Sequence, residues 1–258
     1  MRNLFKSIFN KKNNDIPINS SQNINNQKDL LYQYIESLEN TILKGDLDSI
    51  LMMNGDLEYK IGAFSAIKFS SEYIKFIHIK GLIGDLVQLT DEEYESRSGD
   101  VFFQTYRDNL SDLVAVFFNL GEFTPGDTCD PTLYLSYGKS TGPQSKMYIS
   151  YYSKGYLEIV DLLSGVERRG HGGLMLNSLL KIVEKLNEKI EVYNLQLYAS
   201  EFNTGLTYGD FIASSNSMRK ITHITGKIVP GRGLTREDLI RFYGRYGFIK
   251  DGRLYKDV

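Results

Sequence analysis

The stretch SGVERRGHGGLMLNSLL, residues 164–180, sets four glycines and three consecutive charged residues between two apolar runs of different period. Before it, YLEIVDLLS (156–164) reads as a strand. After it, Leu174, Leu176, Leu179, Leu180, Ile182, Val183 and Leu186 supply the broad apolar face of a helix. The glycines therefore fall at a strand-to-helix junction. A helix N-terminus carries unpaired amides and partial positive charge, which suits phosphate, and glycine lets an anion approach the backbone. Gly170, Gly172 and Gly173 leave amides open, and Arg168 and Arg169 add charge that can meet phosphate oxygens. A diphosphate fits this pattern; the plainer reading is a flexible turn with two solvated arginines. The stretch holds neither GxxxxGK followed by Ser or Thr nor GxGxxG.

Two further strand-like runs, TLYLSYGK (132–139) and KMYISYY (146–152), precede the junction with glycine-containing turns between them, as a meander requires. Downstream, VYNLQLYAS (192–200) reads as a strand and 201–233 as a long polar segment with structure or function of its own. TREDLIRFYGRYGF (235–248) then reads as a short helix, capped by Thr235 and closed by Gly247, before a last strand in DGRLYKDV. In the first half, residues 13–27 are a polar, Asn-rich linker, and Leu31, Tyr34, Ile35, Leu38 and Ile42 mark an amphipathic helix stopped by Gly45. Residues 59–79 are β-branched and aromatic enough to predict strands, 108–123 return to helical spacing, and 124–131 have loop punctuation. The fold expected is α+β, a mixed and mostly antiparallel central sheet flanked by helices, with an N-terminal extension. Its expected divisions are 1–27, an N-terminal segment and linker; 28–123, a region of helix and strand that is either a unit of its own or part of the same domain as the core; and 124–258, the core carrying the glycine loop.

Composition narrows the function classes. A formal net charge of −2 and a pI near 6.0 give no basic field, so nucleic acid is not the expected partner. The single cysteine, Cys129, and three scattered histidines, His78, His171 and His223, point to a reducing cytoplasm without a structural metal. No run reaches the 18 or so apolar residues of a membrane span. In MRNLFKSIFNKK, residues 1–12, Leu4, Phe5, Ile8 and Phe9 share one helix face amid basic residues, the pattern of an interfacial membrane contact or of a short docking helix.

The strand YLEIVDLLS followed by RGHGGL resembles the acetyl-CoA-binding motif of the GCN5-related N-acetyltransferase (GNAT) superfamily, Arg/Gln-x-x-Gly-x-Gly/Ala at a helix start. Arg169 and Gly172 match, and Leu174 stands at the final small-residue position. A second stretch, LIRFYGRYGFIKDGRLYKDV (239–258), is similar to the closing helix, Tyr-x-x-x-Gly-Phe turn and last strand of that superfamily, through Tyr243, Gly247 and Phe248. The resemblance covers residues 132–258. It implies an acyl-CoA-dependent N-acyltransferase that carries acetyl from acetyl-CoA directly to an amine, borne by a small molecule or a protein. The alternative is a non-catalytic acyl-CoA-binding module, regulatory or partner-binding, on the same fold.

The resemblance also implies roles. The strand before the loop splays from its neighbour, so backbone groups of Leu162, Leu163 and Ser164 would hold the pantetheine arm and thioester. Arg168, Arg169, Gly170, His171, Gly172, Gly173 and Leu174 would hold the diphosphate, and Arg236 takes the place of an asparagine that touches the cofactor. Tyr243 would protonate the departing thiolate. Asp161 or Glu158 would act as base, directly or through water, and strand alternation is expected to send these two to opposite faces. Other readings stay open: His171 through its ring, Cys129 as an acyl-carrying nucleophile, and Glu201, Tyr208 and Asp210 as acceptor contacts.

Overall fold

The structure, a computed structural model, describes residues 20–93, 101–123, 129–138, 145–200, 205, 207–214, 217–230 and 233–258. Four helices come first, α1 (Ser20–Leu43), α2 (Leu47–Met52), α3 (Asn54–Ala63) and α4 (Ser71–Glu93). A hairpin follows, β1 (Val101–Arg107) and β2 (Leu113–Asn119), and then the meander β3 (Thr132–Ser136), β4 (Ser145–Tyr152) and β5 (Tyr156–Leu163). The long helix α5 (His171–Ser200), the short α6 (Tyr208–Ala213), β6 (His223–Gly226), α7 (Arg236–Arg245), β7 (Ile249–Lys250) and β8 (Arg253–Asp257) complete the chain. The eight strands form one mixed sheet in the order β1-β2-β3-β4-β5-β6-β8-β7. Only β5 and β6 run parallel, joined by the crossover through α5 that parallel neighbours need. Among the described residues no helix is long and apolar enough to cross a membrane.

The sheet is buried on both faces where β2 crosses it. Val114, Val116 and Phe118 join a core with Leu133, Leu135, Met147, Ile149 and the apolar stripe of α5. Leu113, Ala115 and Phe117 face the other way, onto α1 and α4. A strand buried on both faces reads as a continuous apolar run, and periodicity cannot tell such a run from a helix, so the helix expected over 108–123 is instead a turn, β2 and a short 3-10 turn. The opposite error occurs at 59–79. There Phe76, Ile79, Ile83 and Leu86 are buried at helical spacing, and α3 and α4 replace the expected strands because a packed stripe outweighs β propensity.

Two more expectations change. The linker expected over 13–27 is helical from Ser20 onward, as the start of α1; residues 1–19, with their membrane-contact pattern, lie outside the described residues. The strand expected at 192–200 is the last third of α5. Asn187 and Asn194 tie that helix to the returning chain, each exchanging two hydrogen bonds with one backbone unit: 3.0 and 2.7 Å for Asn187 with Ile221, 2.9 and 2.8 Å for Asn194 with Met218. Extending a nucleated helix is cheap, and the strand position beside β5 is filled by β6, from within the 201–233 segment.

The helical bundle is fastened to the sheet at several points. Glu39 of α1 accepts from Lys75 of α4 at 2.8 Å and from Arg107 of β1 at 3.1 Å. Gly81 of α4 lies so close to the chain after β3 that a Cβ there would sit 2.1 Å from the Gly138 carbonyl oxygen. Ser136 donates to Asp85 at 2.6 Å. Since β1 and β2 pair into the same sheet as the meander, the expected division at residue 123 falls between strands that are directly hydrogen-bonded.

Candidate functional site

The glycine loop leaves β5 and enters α5 through a left-handed backbone at Arg168, φ 60°, and again at Gly170, φ 81°. Left-handed geometry on both sides of Arg169 turns its side chain inward. The guanidinium is 6% exposed; Nε donates to Asp108 Oδ2 and Nη2 to Asp112 Oδ2, with Tyr137 beneath at 5.5 Å. The charge expected to meet phosphate is thus neutralised within the protein, and of the two arginines only Arg168 remains exposed. His171 is buried as well, with Nε2 3.4 Å from Asp108 and Nδ1 3.3 Å from Ser145. Burial lowers its pKa further than the Asp108 carboxylate raises it, so the ring is neutral at pH 7 and is no solvent-facing acid or base.

The first hydrogen bond of α5 runs from the Leu174 amide to the Gly170 carbonyl at 3.1 Å, so the amides of His171, Gly172 and Gly173 have no partner inside the helix. The glycines have a second reason to be there. A Cβ on Gly172 would lie 2.9 Å from Phe242 Cζ, and one on Gly173 only 1.9 Å from the Tyr246 hydroxyl, so α7 packs directly onto the backbone at the start of α5. Leu174, in place of a small residue, packs its side chain against the main core.

Beside this helix start the sheet opens. The β5–β6 pairing ends at Ile159↔Gly226, whereas β5 itself continues to Leu163. Among the described residues, none pairs as a strand with 160–163 on the β6 side. The Leu162 amide donates to the Asp161 carboxylate at 2.8 Å rather than to another strand, and Ser164 Oγ donates to the Val166 carbonyl. Exposed apolar side chains lie on this part of the sheet: Tyr148 on β4 and Val160 on β5. Leu163 pairs with Lys146 at the far end of β5.

The two candidate bases share a face of the sheet, contrary to the simple alternation. The β4–β5 register passes from Tyr148↔Asp161 directly to Ile149↔Ile159, which leaves Val160 as an extra, bulged residue. One extra residue shifts the alternation by one, so Asp161, opposite Tyr148, and Glu158, opposite Ser150, point the same way. Glu158 accepts from the Tyr152 hydroxyl at 3.0 Å. Asp161 accepts from its neighbour's amide.

Tyr243 is 8% exposed on the buried face of α7. Burial and the nearby Asp161 carboxylate push its pKa up to about 12. It therefore keeps its proton throughout the physiological range. The helix that carries it begins with a capping box, Thr235 with Asp238, and ends at Gly247, φ 72°, as the sequence pattern predicts.

The remaining candidates are engaged elsewhere. Arg236 donates to the Gly252 carbonyl at 3.1 Å, in the β7–β8 turn. Asp210 is the capping-box partner of Thr207, and Tyr208 donates to Glu191 at 2.8 Å, so both stabilise α6 and its seat on α5; Glu201 lies outside the described residues. Cys129 bridges to Tyr151, six residues along β4 from the end that carries Ser145, or about 20 Å from the glycine loop at 3.3 Å per residue.

Sequence reasoning did not single out Asp108, Asp112, Tyr137, Phe242 and Tyr246. The last two were legible as neighbours of Tyr243 at helical spacing. Asp108 and Asp112 carried only a turn signal, because their partner lies about sixty residues away. Compared with protein-family models, with curated proteins and with solved structures, the chain matches none of them.

Proposed function

We propose that this chain is an acyl-CoA-dependent N-acyltransferase of the GNAT type, which carries acetyl from acetyl-CoA directly to an amine in the reducing cytoplasm. One observation carries the reading: two parallel strands part after Ile159 and Gly226, and the strand that runs on leads straight into a helix whose first three amides have no partner inside the helix. The residues fit the cofactor in kind. Amides of His171, Gly172 and Gly173, with exposed Arg168 nearby, suit a diphosphate; the free edge of β5 and the exposed Val160 suit an amide-bearing, partly apolar arm. Acetyl-CoA supplies the acyl group as an activated thioester.

Asp161 or Glu158 takes the proton from the attacking amine, on the face of the sheet they share. Tyr243 acts as a hydrogen-bond donor to the sulfur rather than as a full acid. Transfer from a phenol at about 12 to a thiolate whose acid has a pKa near 8.5 is uphill by about 5 kcal/mol, whereas donation of a hydrogen bond carries no such penalty. The proton that leaves with the thiol comes from the amine by way of the base.

The test is release of free thiol from acetyl-CoA in the presence of a panel of amines, alongside calorimetric titration of coenzyme A. Binding with amine-dependent release supports the enzyme. Binding without release would assign a non-catalytic acyl-CoA-binding module, and absence of binding would remove the proposal.

A further inference from the structure

We infer that Asp108 is a positioning residue for the glycine loop, holding the amides at the start of α5 in place through Arg169 and His171. The inference rests on the acyltransferase reading only for what those amides bind. Its basis is the β1–β2 turn, residues 108–112, which meets the loop through Asp108, Asn109 and Asp112. The Asn109 amide donates to the Arg169 carbonyl at 3.1 Å, and Asn109 Nδ2 donates to the Arg168 carbonyl at 3.1 Å. Asp108 and Asp112 clasp the guanidinium of Arg169. A Cβ on Gly170 would meet Asn109 Oδ1 at 2.8 Å, so the loop and the turn lie in direct contact.

The two oxygens of Asp108 have separate duties. Oδ1 accepts from the amides of Leu110, at 2.9 Å, and Asp112, at 3.1 Å, and so shapes the turn. Oδ2 accepts from Arg169 and faces His171 Nε2 at 3.4 Å, and so reaches the loop and the first residue of α5. The side chain is fully buried. Arg168 is held in a left-handed backbone that a non-glycine residue adopts only when its surroundings impose it. The clasp supplies that constraint. The chain of contacts continues into the helical bundle, where His78 of α4 places Nδ1 3.7 Å from Asp112 and its ring 6.3 Å from that of Tyr137. A bundle and hairpin with no part in the glycine motif thereby form the base on which the motif sits.

Asp108→Asn separates the two duties, since an amide keeps an acceptor oxygen for the turn and removes the charge that holds the loop. Two measurements on the full chain decide the matter: hydrogen exchange of the amides between Val166 and Leu174, followed by mass spectrometry, and calorimetric titration with coenzyme A. The expected result is loop exchange at least tenfold faster, with exchange in β2 and β4 unchanged, and a coenzyme A Kd at least tenfold higher. If turnover is present, KM for acetyl-CoA rises while kcat at saturation stays within about twofold. Loop exchange indistinguishable from the unaltered chain overturns the inference whatever happens to binding. Faster loop exchange in a protein whose unaltered form does not bind coenzyme A sustains the positioning role and overturns the acyltransferase reading instead. If Asp108→Asn does not fold, Arg169→Lys takes its place, because a lysine keeps one cation in the clasp but cannot bridge both carboxylates; the same exchange and binding criteria apply to it.

Discussion

Replacing Gly173 by alanine tests the packing at the heart of the site. Gly173 is the third residue of α5, and its missing Cβ would lie 1.9 Å from the Tyr246 hydroxyl, 2.2 Å from Cζ and 2.7 Å from Cε1. No rotation within the methyl group relieves such distances, so the Tyr246 ring or the whole of α7 must move. Overpacking of this kind costs about 1–3 kcal/mol. Alanine is better than glycine inside a helix by about 1 kcal/mol, which offsets part of that cost. The net expectation is a loss of up to about 2 kcal/mol, or up to about 8 °C in Tm for a chain of this length. Gly84, in the interior of α4 with nothing within 4 Å of its missing Cβ, is the control, and alanine there should gain up to about 1 kcal/mol. The assay is guanidinium unfolding of Gly173→Ala with and without Tyr246→Ala. Once the ring is gone, the alanine should turn neutral or favourable, a coupling on the order of 1–3 kcal/mol. An equal effect of the alanine in both backgrounds would refute the argument that Tyr246 is what demands a glycine.

Three other outcomes follow from the same geometry. Gly172→Asp sets a negative charge among the first amides of α5 and should weaken coenzyme A binding at least tenfold by calorimetry; unchanged affinity would place the diphosphate elsewhere. Tyr243→Phe removes a hydrogen bond to a developing negative sulfur, worth about 1.5–3 kcal/mol, so kcat should fall roughly ten- to a hundredfold with coenzyme A affinity kept, and a fall beyond a thousandfold would restore the phenol as a full acid. The pKa of His171 is lowered on folding, so its unfolded form takes up a proton first: the stability present above about pH 6.5 is lost as the pH falls through that range toward the folded value. Tm should therefore drop between pH 7 and pH 5, and His171→Gln should flatten that part of the curve; an identical drop in the variant would assign the effect to other groups.

The local signals in the sequence carried as far as local physics reaches. The strand into a glycine-opened helix, the Thr235 cap, the Gly247 stop and the meander all rest on residues within a few positions of one another, and each stands where the spacing put it. The stretch 59–79 is helical against its β-rich composition, because burial at helical spacing decides over β propensity and the buried face is known only once α1 and α4 meet. The same holds for β2, whose two faces are claimed by partners far apart in the chain. The two motifs, about seventy residues apart in sequence, meet where Phe242 and Tyr246 pack on Gly172 and Gly173. The sequence could not say that a single bulged residue, Val160, brings Asp161 and Glu158 to one face, since a bulge exists only in the register between two strands. Nor could it say that Arg169 turns inward. Its charge looks free along the chain, and only the folded turn at 108–112 supplies two carboxylates to bury it, 61 and 57 residues away.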